Sequence, residues 1–260
     1  MKKFLKTYWK TLLFFTLAGF VGGFFSGVYV LDSYPLELKQ QLVEEVYSMG
    51  LGEVPLSLLM GLLTAVQAAG YGLVLGGIGI VLAKKVGLWN DEVRITKKPL
   101  VITMIVAAFG GLALILPDVL FFGQYSEAIV NAYVVKPTVE YILGSIIYGG
   151  IIEEVMLRLF MMSLIAFILH KLFGKKDNKP AAVILIISNM IAAFLFAAGH
   201  LPTTAITMGL SPMIIFRCFL LNGSFGLMFG WLYRKYGLRY AMIAHGGCHI
   251  VSKLIWILFI

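Results

Sequence analysis

Residues 139–169 read VEYILGSIIYGGIIEEVMLRLFMMSLIAFIL, a predominantly apolar run whose charged residues are Glu140 near its start and Glu153, Glu154 and Arg158 in its middle. About 20 predominantly apolar residues are enough for a helix to cross the hydrocarbon core of a bilayer. A helix on a water-soluble domain would show a polar stripe at helical spacing, and this run has none. The segment is therefore expected to be a transmembrane helix with charge placed halfway along it.

Six further apolar runs flank it, at 11–31, 55–83, 99–116, 180–200, 212–233 and 238–260. The expected fold is all-α, a polytopic membrane helix bundle of about seven transmembrane helices. Composition agrees: of 260 residues 60% are hydrophobic and 13% charged, about half the charge of an ordinary soluble domain. The net charge of +8 suggests nucleic acid until its distribution is considered. Lys2, Lys3, Lys6 and Lys10 precede the first run, and Lys84, Lys85, Arg94, Lys97 and Lys98 follow the second. Lys171, Lys175, Lys176 and Lys179 follow the fourth, and Arg234, Lys235 and Arg239 follow the sixth. The alternate loops carry only Lys39 and Lys136. This is the positive-inside pattern, which predicts a multi-pass cell-membrane protein with its amino terminus cytoplasmic and its carboxyl terminus outside. Nucleic-acid binding is not expected; the lipid bilayer accounts for the basic residues.

The first run starts with lysines as a signal peptide does, but its apolar stretch is long and no small-x-small cleavage site follows, so a retained helix is expected. Residues 32–53 are acidic and weakly amphipathic, which suits a short helix on the outer surface. Cys218 and Cys248 lie in apolar runs without metal-type spacing. Gly19 and Gly23, Gly72 and Gly76, and Gly226 and Gly230 place small residues four apart, the spacing that lets membrane helices approach closely.

Ionised groups inside a membrane helix each cost about 2.5–3.5 kcal/mol on insertion scales, so they are expected to be paired or functional. Glu154 and Arg158 are four apart on one helical face and suited to an ion pair. Glu153 is rotated from Glu154 by about 100° and is left for other work. His200, His245 and His249 also fall in or at the ends of apolar runs, the last two on one face of a helix, whereas His170 beside Lys171 reads as interfacial. A carboxylate and imidazoles are the groups that activate water near neutral pH, as bases or as metal ligands.

The series Glu153-Glu154-x-x-x-Arg158, Phe196-x-x-x-His200 and His245-x-x-x-His249 resembles the motifs of the CPBP family of intramembrane proteases. This family, also called Abi, includes the type II CAAX prenyl endopeptidases and bacteriocin-associated bacterial proteins. The resemblance spans 139–260, implying a catalytic core of four transmembrane helices there and an amino-terminal set of helices with an acidic outer loop over 1–138. It implies peptide-bond hydrolysis, with Glu153 and His200 activating water, His245 and residue 249 stabilising the oxyanion, and Glu154, Arg158 and Phe196 in support. Its substrate would be a peptide or protein at the membrane. The family usually has Asn or Asp where this chain has His249. A histidine can still donate to an oxyanion, but it also makes a zinc site of Glu153, His200, His245 and His249 conceivable, so the expectation that no cofactor is required is set against a metalloprotease. Two other readings compete: a non-catalytic relative serving bacteriocin immunity or regulation, which His249 permits, and a small proton-coupled transporter. Against the transporter, the sequence shows neither an internal repeat nor matched Gly/Pro-broken helices.

Topology is testable by cysteine labelling in intact cells. A membrane-impermeant thiol reagent is expected to reach a cysteine placed near Ser126 and not Lys176→Cys; the opposite pattern would invert the assignment.

Overall fold

In the computed structural model, which describes residues 2–91, 94–174 and 179–260, the chain is helical throughout, with no strand among the described residues. The elements are α1 (Lys2–Asp32), α2 (Leu36–Ser48), α3 (Leu56–Lys85), α4 (Lys97–Leu120), α5 (Glu127–Val134), α6 (139–173), α7 (Ala182–Gly199), α8 (Leu201–Met208), α9 (Pro212–Tyr236) and α10 (Leu238–Phe259). Lys175 and Lys176 of the basic loop lie outside the described residues.

Six helical spans among the described residues are long and apolar enough to cross a membrane: α1, α3, α4, α7 continuing into α8, α9 and α10. The seventh expected span is α6, a continuous rod that carries Glu153, Glu154 and Arg158. The outer surfaces of the bundle are apolar: Leu63, Phe109, Leu120 and Phe194 are each more than half exposed. Such a surface is stable against lipid and would aggregate in water. The acidic segment forms α2, in which no residue is buried.

The rod α6 is central, packing against α1, α3, α7 and α10. The larger buried apolar cluster runs from Tyr8, Leu12 and Phe15 of α1 through Val155, Leu159 and Met162 of α6 to Ala241, Ala244 and Cys248 of α10. Small residues set how closely the helices approach. A Cβ on Gly23 would lie 2.6 Å from the Thr64 carbonyl of α3, and one on Gly150 would lie 2.9 Å from the Gly246 Cα of α10. The backbones of α6 and α10 thus touch one turn from the charged residues. Between α9 and α10 the chain reverses on Gly237 alone, whose φ of +100° is costly for a side chain with a Cβ.

Within α6, residues 145–153 and 155–162 are wound as π-helix, a geometry that recurs at functional sites because it re-aims side chains that an α-helix would spread. Another π turn, Tyr71–Leu75, lies in α3.

The basic end of α1 is tied to the loop between α3 and α4. Asp91 accepts from the Tyr8 hydroxyl at 2.7 Å, the Lys84 ammonium at 2.9 Å and the Trp89 indole at 2.8 Å. Lys84, followed by Tyr8 and Trp89, holds the Asp91 carboxyl well below its ordinary value of 3.8, at about 2. A lowered carboxyl pKa stabilises the fold fully above the unfolded value and loses that effect as pH falls through the folded one. Asp91→Asn is therefore expected to lower the unfolding temperature at pH 7, the difference from the parent shrinking between about pH 4 and pH 2. Because the pair is solvent-screened, the loss should be at most about 1 kcal/mol; a pH series of thermal melts in detergent checks it.

Candidate active site

Glu154 and Arg158 are withdrawn from the surface, with side-chain exposures of 0% and 2%, and meet at 3.2 Å. The same Glu154 oxygen receives His245 Nδ1 at 2.8 Å. The contact with Arg158 is close but not aligned as a hydrogen bond, and Glu154 Oε2 has no partner. Arg158 Nη2 donates to the Gly226 carbonyl of α9 at 3.3 Å. Its guanidinium lies between two rings, 4.6 Å from the centre of Phe196 and 5.6 Å from that of Phe229. Cation–π contacts of this kind suit a desolvated arginine, and they connect α6 to α7 and α9, while the Glu154–His245 contact connects it to α10.

Glu153 faces the other way, into a cavity of about 640 Å³ that is also lined by His200, His245 and His249. Its side chain is 21% exposed and its carboxylate is 3.8 Å from His245 Nε2. His245 stacks on Phe229 at 4.4 Å and on His249 at 5.1 Å. Residues four apart on α10 thus place both rings side by side, as the spacing predicted.

His200 arrives from α7. At the end of that helix its backbone N–H turns to Ala197 O, and its own Nδ1 lies 2.8 Å from the Phe196 carbonyl. Helix ends leave such carbonyls without intrahelical partners, and here the imidazole fills the gap. Pro202 in the first turn of α8 fits the break, since it has no N–H to continue the ladder. The Phe196 edge also packs on the His200 ring at 4.7 Å. Phe196 therefore orients both the arginine and a histidine, a reason for an aromatic residue four positions before His200.

Glu153, His200, His245 and His249 thus come together on one cavity, Phe196 lines it as well, and Glu154 and Arg158 form the sealed layer behind. His170 sits in the last turn of α6, remote from the site in sequence and depth. Several residues of the site escaped the sequence reading. Phe229 is the ring on which His245 rests. At Gly149 a Cβ would lie 3.0 Å from His249 Nε2 and 3.6 Å from His245 Nε2. Further along the cavity, Arg217 forms a two-pronged ion pair with buried Asp118, to which Tyr133 also donates at 3.0 Å. An arginine inside the run 212–233 was a visible signal for that pair; Gly149 gave none, because its importance lies in what is absent from it.

The donor set does not form a preassembled metal centre. Among the described residues no group of three or more His, Cys, Asp or Glu side chains is disposed to hold a metal ion; the Nδ1 atoms of His245 and His200 are engaged by Glu154 and the Phe196 carbonyl, which leaves the Nε2 atoms toward the cavity.

The bundle has helices long and apolar enough to cross a bilayer, and a carboxylate and imidazoles gather on its internal cavity. Residues 136–251 match the family model described as type II CAAX prenyl endopeptidase Rce1-like. Over those residues, a little under half of the chain, the protein is similar to that family, consistent with the CPBP resemblance. No curated protein and no solved structure matches the chain.

Two substitutions probe this packing. Glu154→Gln leaves Arg158 as an uncompensated buried cation and is expected to destabilise the protein by about 3–5 kcal/mol, read as a lowered unfolding temperature. Gly149→Ala drives a methyl group against His249 and is expected to reduce activity more than stability; His249→Ala in the same chain should remove the clash without further loss of stability.

Proposed function

We propose that the protein is an intramembrane endopeptidase acting on membrane-anchored or exported peptides, with a water activated by Glu153 and His200. The observation that carries this reading is the convergence of Glu153, His200, His245 and His249, from three separate helices, on one cavity. Glu153 is the carboxylate without an ion-pair partner in its own helix, and serves as the base: it takes a proton from water as the oxygen attacks the peptide carbonyl, then passes it to the departing amine. His200, with Nδ1 turned to a carbonyl, presents Nε2 to hold the same water. His245 and His249 lie side by side on α10, facing the developing oxyanion, and His245 donates there when protonated on both nitrogens, with Glu154 against one and Glu153 near the other.

The cavity extends toward Tyr34 just beyond α1, Met60 of α3, Tyr141 of α6 and Arg217 of α9. These positions are at the ends of their helices away from Lys84, Lys85, Lys171, Arg234 and Lys235. With basic ends inward, the cavity opens to the outside, which favours exported or surface-anchored substrates over a cytoplasmic prenylated CAAX peptide. His249 in place of the usual Asn or Asp is the feature that a non-catalytic relative would share, and the test separates the two.

Glu153→Gln keeps the shape of the side chain and removes the base, so cleavage should fall about 10²- to 10⁴-fold while the unfolding temperature stays near that of the parent. His200→Ala should match it, and the double variant should be scarcely worse than either, because groups acting on one water are strongly non-additive. Proteomics of membrane fractions from cells making the parent or Glu153→Gln protein reads substrate cleavage directly. Indistinguishable cleavage patterns would sink the protease reading in favour of a non-catalytic role.

A further inference from the structure

The protons of the site can be placed by elimination. A carbonyl oxygen only accepts, so the 2.8 Å contact between His200 Nδ1 and Phe196 O requires the proton on Nδ1. A carboxylate paired with arginine likewise only accepts, so the 2.8 Å contact with Glu154 puts a proton on His245 Nδ1. A neutral imidazole carries one N–H. Both rings therefore turn a bare Nε2 toward the cavity, and Glu153 adds a third acceptor. The neutral site is well equipped to hold water and poor in donors for an oxyanion.

Three of the hydroxyl and amide groups on the cavity already donate elsewhere. Thr204 donates to the His200 carbonyl at 2.8 Å, Ser145 to the Ile142 carbonyl at 3.1 Å, and the Asn222 amide to the Cys218 carbonyl at 3.0 Å. His249 Nδ1 is sealed without a partner, and its Nε2 lies beside Gly149. Tyr148 also lines the cavity, and its phenol makes no hydrogen bond with any described residue.

The winding of α6 makes this phenol relevant. In an α-helix, residues five apart diverge by about 140°. Residues 145–153 are π-wound, and the wider turn of a π-helix, with its i→i+5 bonding, narrows that divergence. Tyr148 therefore lies one π turn from Glu153 on the cavity side of the rod, within electrostatic reach of it, with Gly149 between them passing close to the histidine pair.

We propose that Tyr148 is a catalytic residue whose phenol donates a hydrogen bond to the oxyanion of the tetrahedral intermediate, alongside His249. The assignment rests on the protease reading above. It gives the site a donor that remains whether or not His245 is doubly protonated, and it offers a reason for the π-helix in α6.

The test uses the full chain in lipid nanodiscs and a library of quenched fluorescent peptides, comparing parent, Glu153→Gln and Tyr148→Phe. Tyr148→Phe keeps the ring and its packing, so the unfolding temperature should be unchanged while kcat falls about 10²- to 10³-fold, the usual cost of one oxyanion donor, with KM within about twofold. Replacing Tyr148 by fluorotyrosines of increasing phenol acidity should change kcat in the order of that acidity, which a merely structural ring would not do. If Tyr148→Phe keeps kcat within twofold while Glu153→Gln is inactive, or raises KM alone, the oxyanion role is wrong although the protease reading stands. If the parent cleaves no better than Glu153→Gln, the protease reading fails and takes this assignment with it.

Discussion

The burial of Arg158 is the constraint around which the rest of the protein is arranged. A guanidinium cannot be neutralised at any accessible pH, and in a bilayer it has no bulk water to retreat to. Every group close to it answers that problem. Glu154 supplies the opposite charge, the Gly226 carbonyl takes one N–H, and Phe196 and Phe229 cover its faces. Because these partners come from α6, α7 and α9, and because Glu154 also receives His245 of α10, one buried cation fixes four helices in mutual register. A buried ion pair is weak evidence of net stabilisation, yet removing one partner is severe; its value here lies in specifying one arrangement.

The chemistry inherits that arrangement. Glu154 and Glu153 are adjacent in sequence and opposite in situation: one is sealed and committed to Arg158 and His245, the other faces a cavity. His200 is oriented by a helix-end carbonyl and His245 by Glu154, so each imidazole is fixed through the nitrogen that does not face the cavity. Orientation of a working imidazole by a hydrogen bond on its far side is a general device, and here the two orienting acceptors differ in kind, one backbone and one ionised side chain.

Close approach of backbones makes the cavity possible. At Gly150 and Gly246 the rod α6 meets α10 without intervening side chains, and at Gly149 the absence of a Cβ leaves room for the histidine rings. Packing rather than hydrophobicity holds helices together in lipid, so small residues placed at crossings have a structural weight that their size conceals. The same crossings seat Glu153 opposite His245, at 3.8 Å.

The sequence by itself determined the medium, the helical class, the approximate spans and most of the polar residues that gather at the candidate site. Those properties follow from runs of apolar residues longer than a soluble core requires and from the cost of placing Glu153, Glu154, Arg158 or a histidine inside them. The Glu154–Arg158 pair was legible too, because it lies within a single helix and depends only on its period. What the tertiary structure decided involves contacts between helices distant in sequence. Among these are His245 joining Glu154 rather than standing only against Glu153, the Phe196–Arg158–Phe229 sandwich, the pairing of Arg217 with Asp118, and His200 reaching the site at a break between α7 and α8. The π winding of α6 belongs with them, since it changes which residues share a face and so defeats a reading made at 100° per residue. A one-dimensional pattern records period and polarity; it does not record which face of one helix meets which face of another, and here that meeting defines the site.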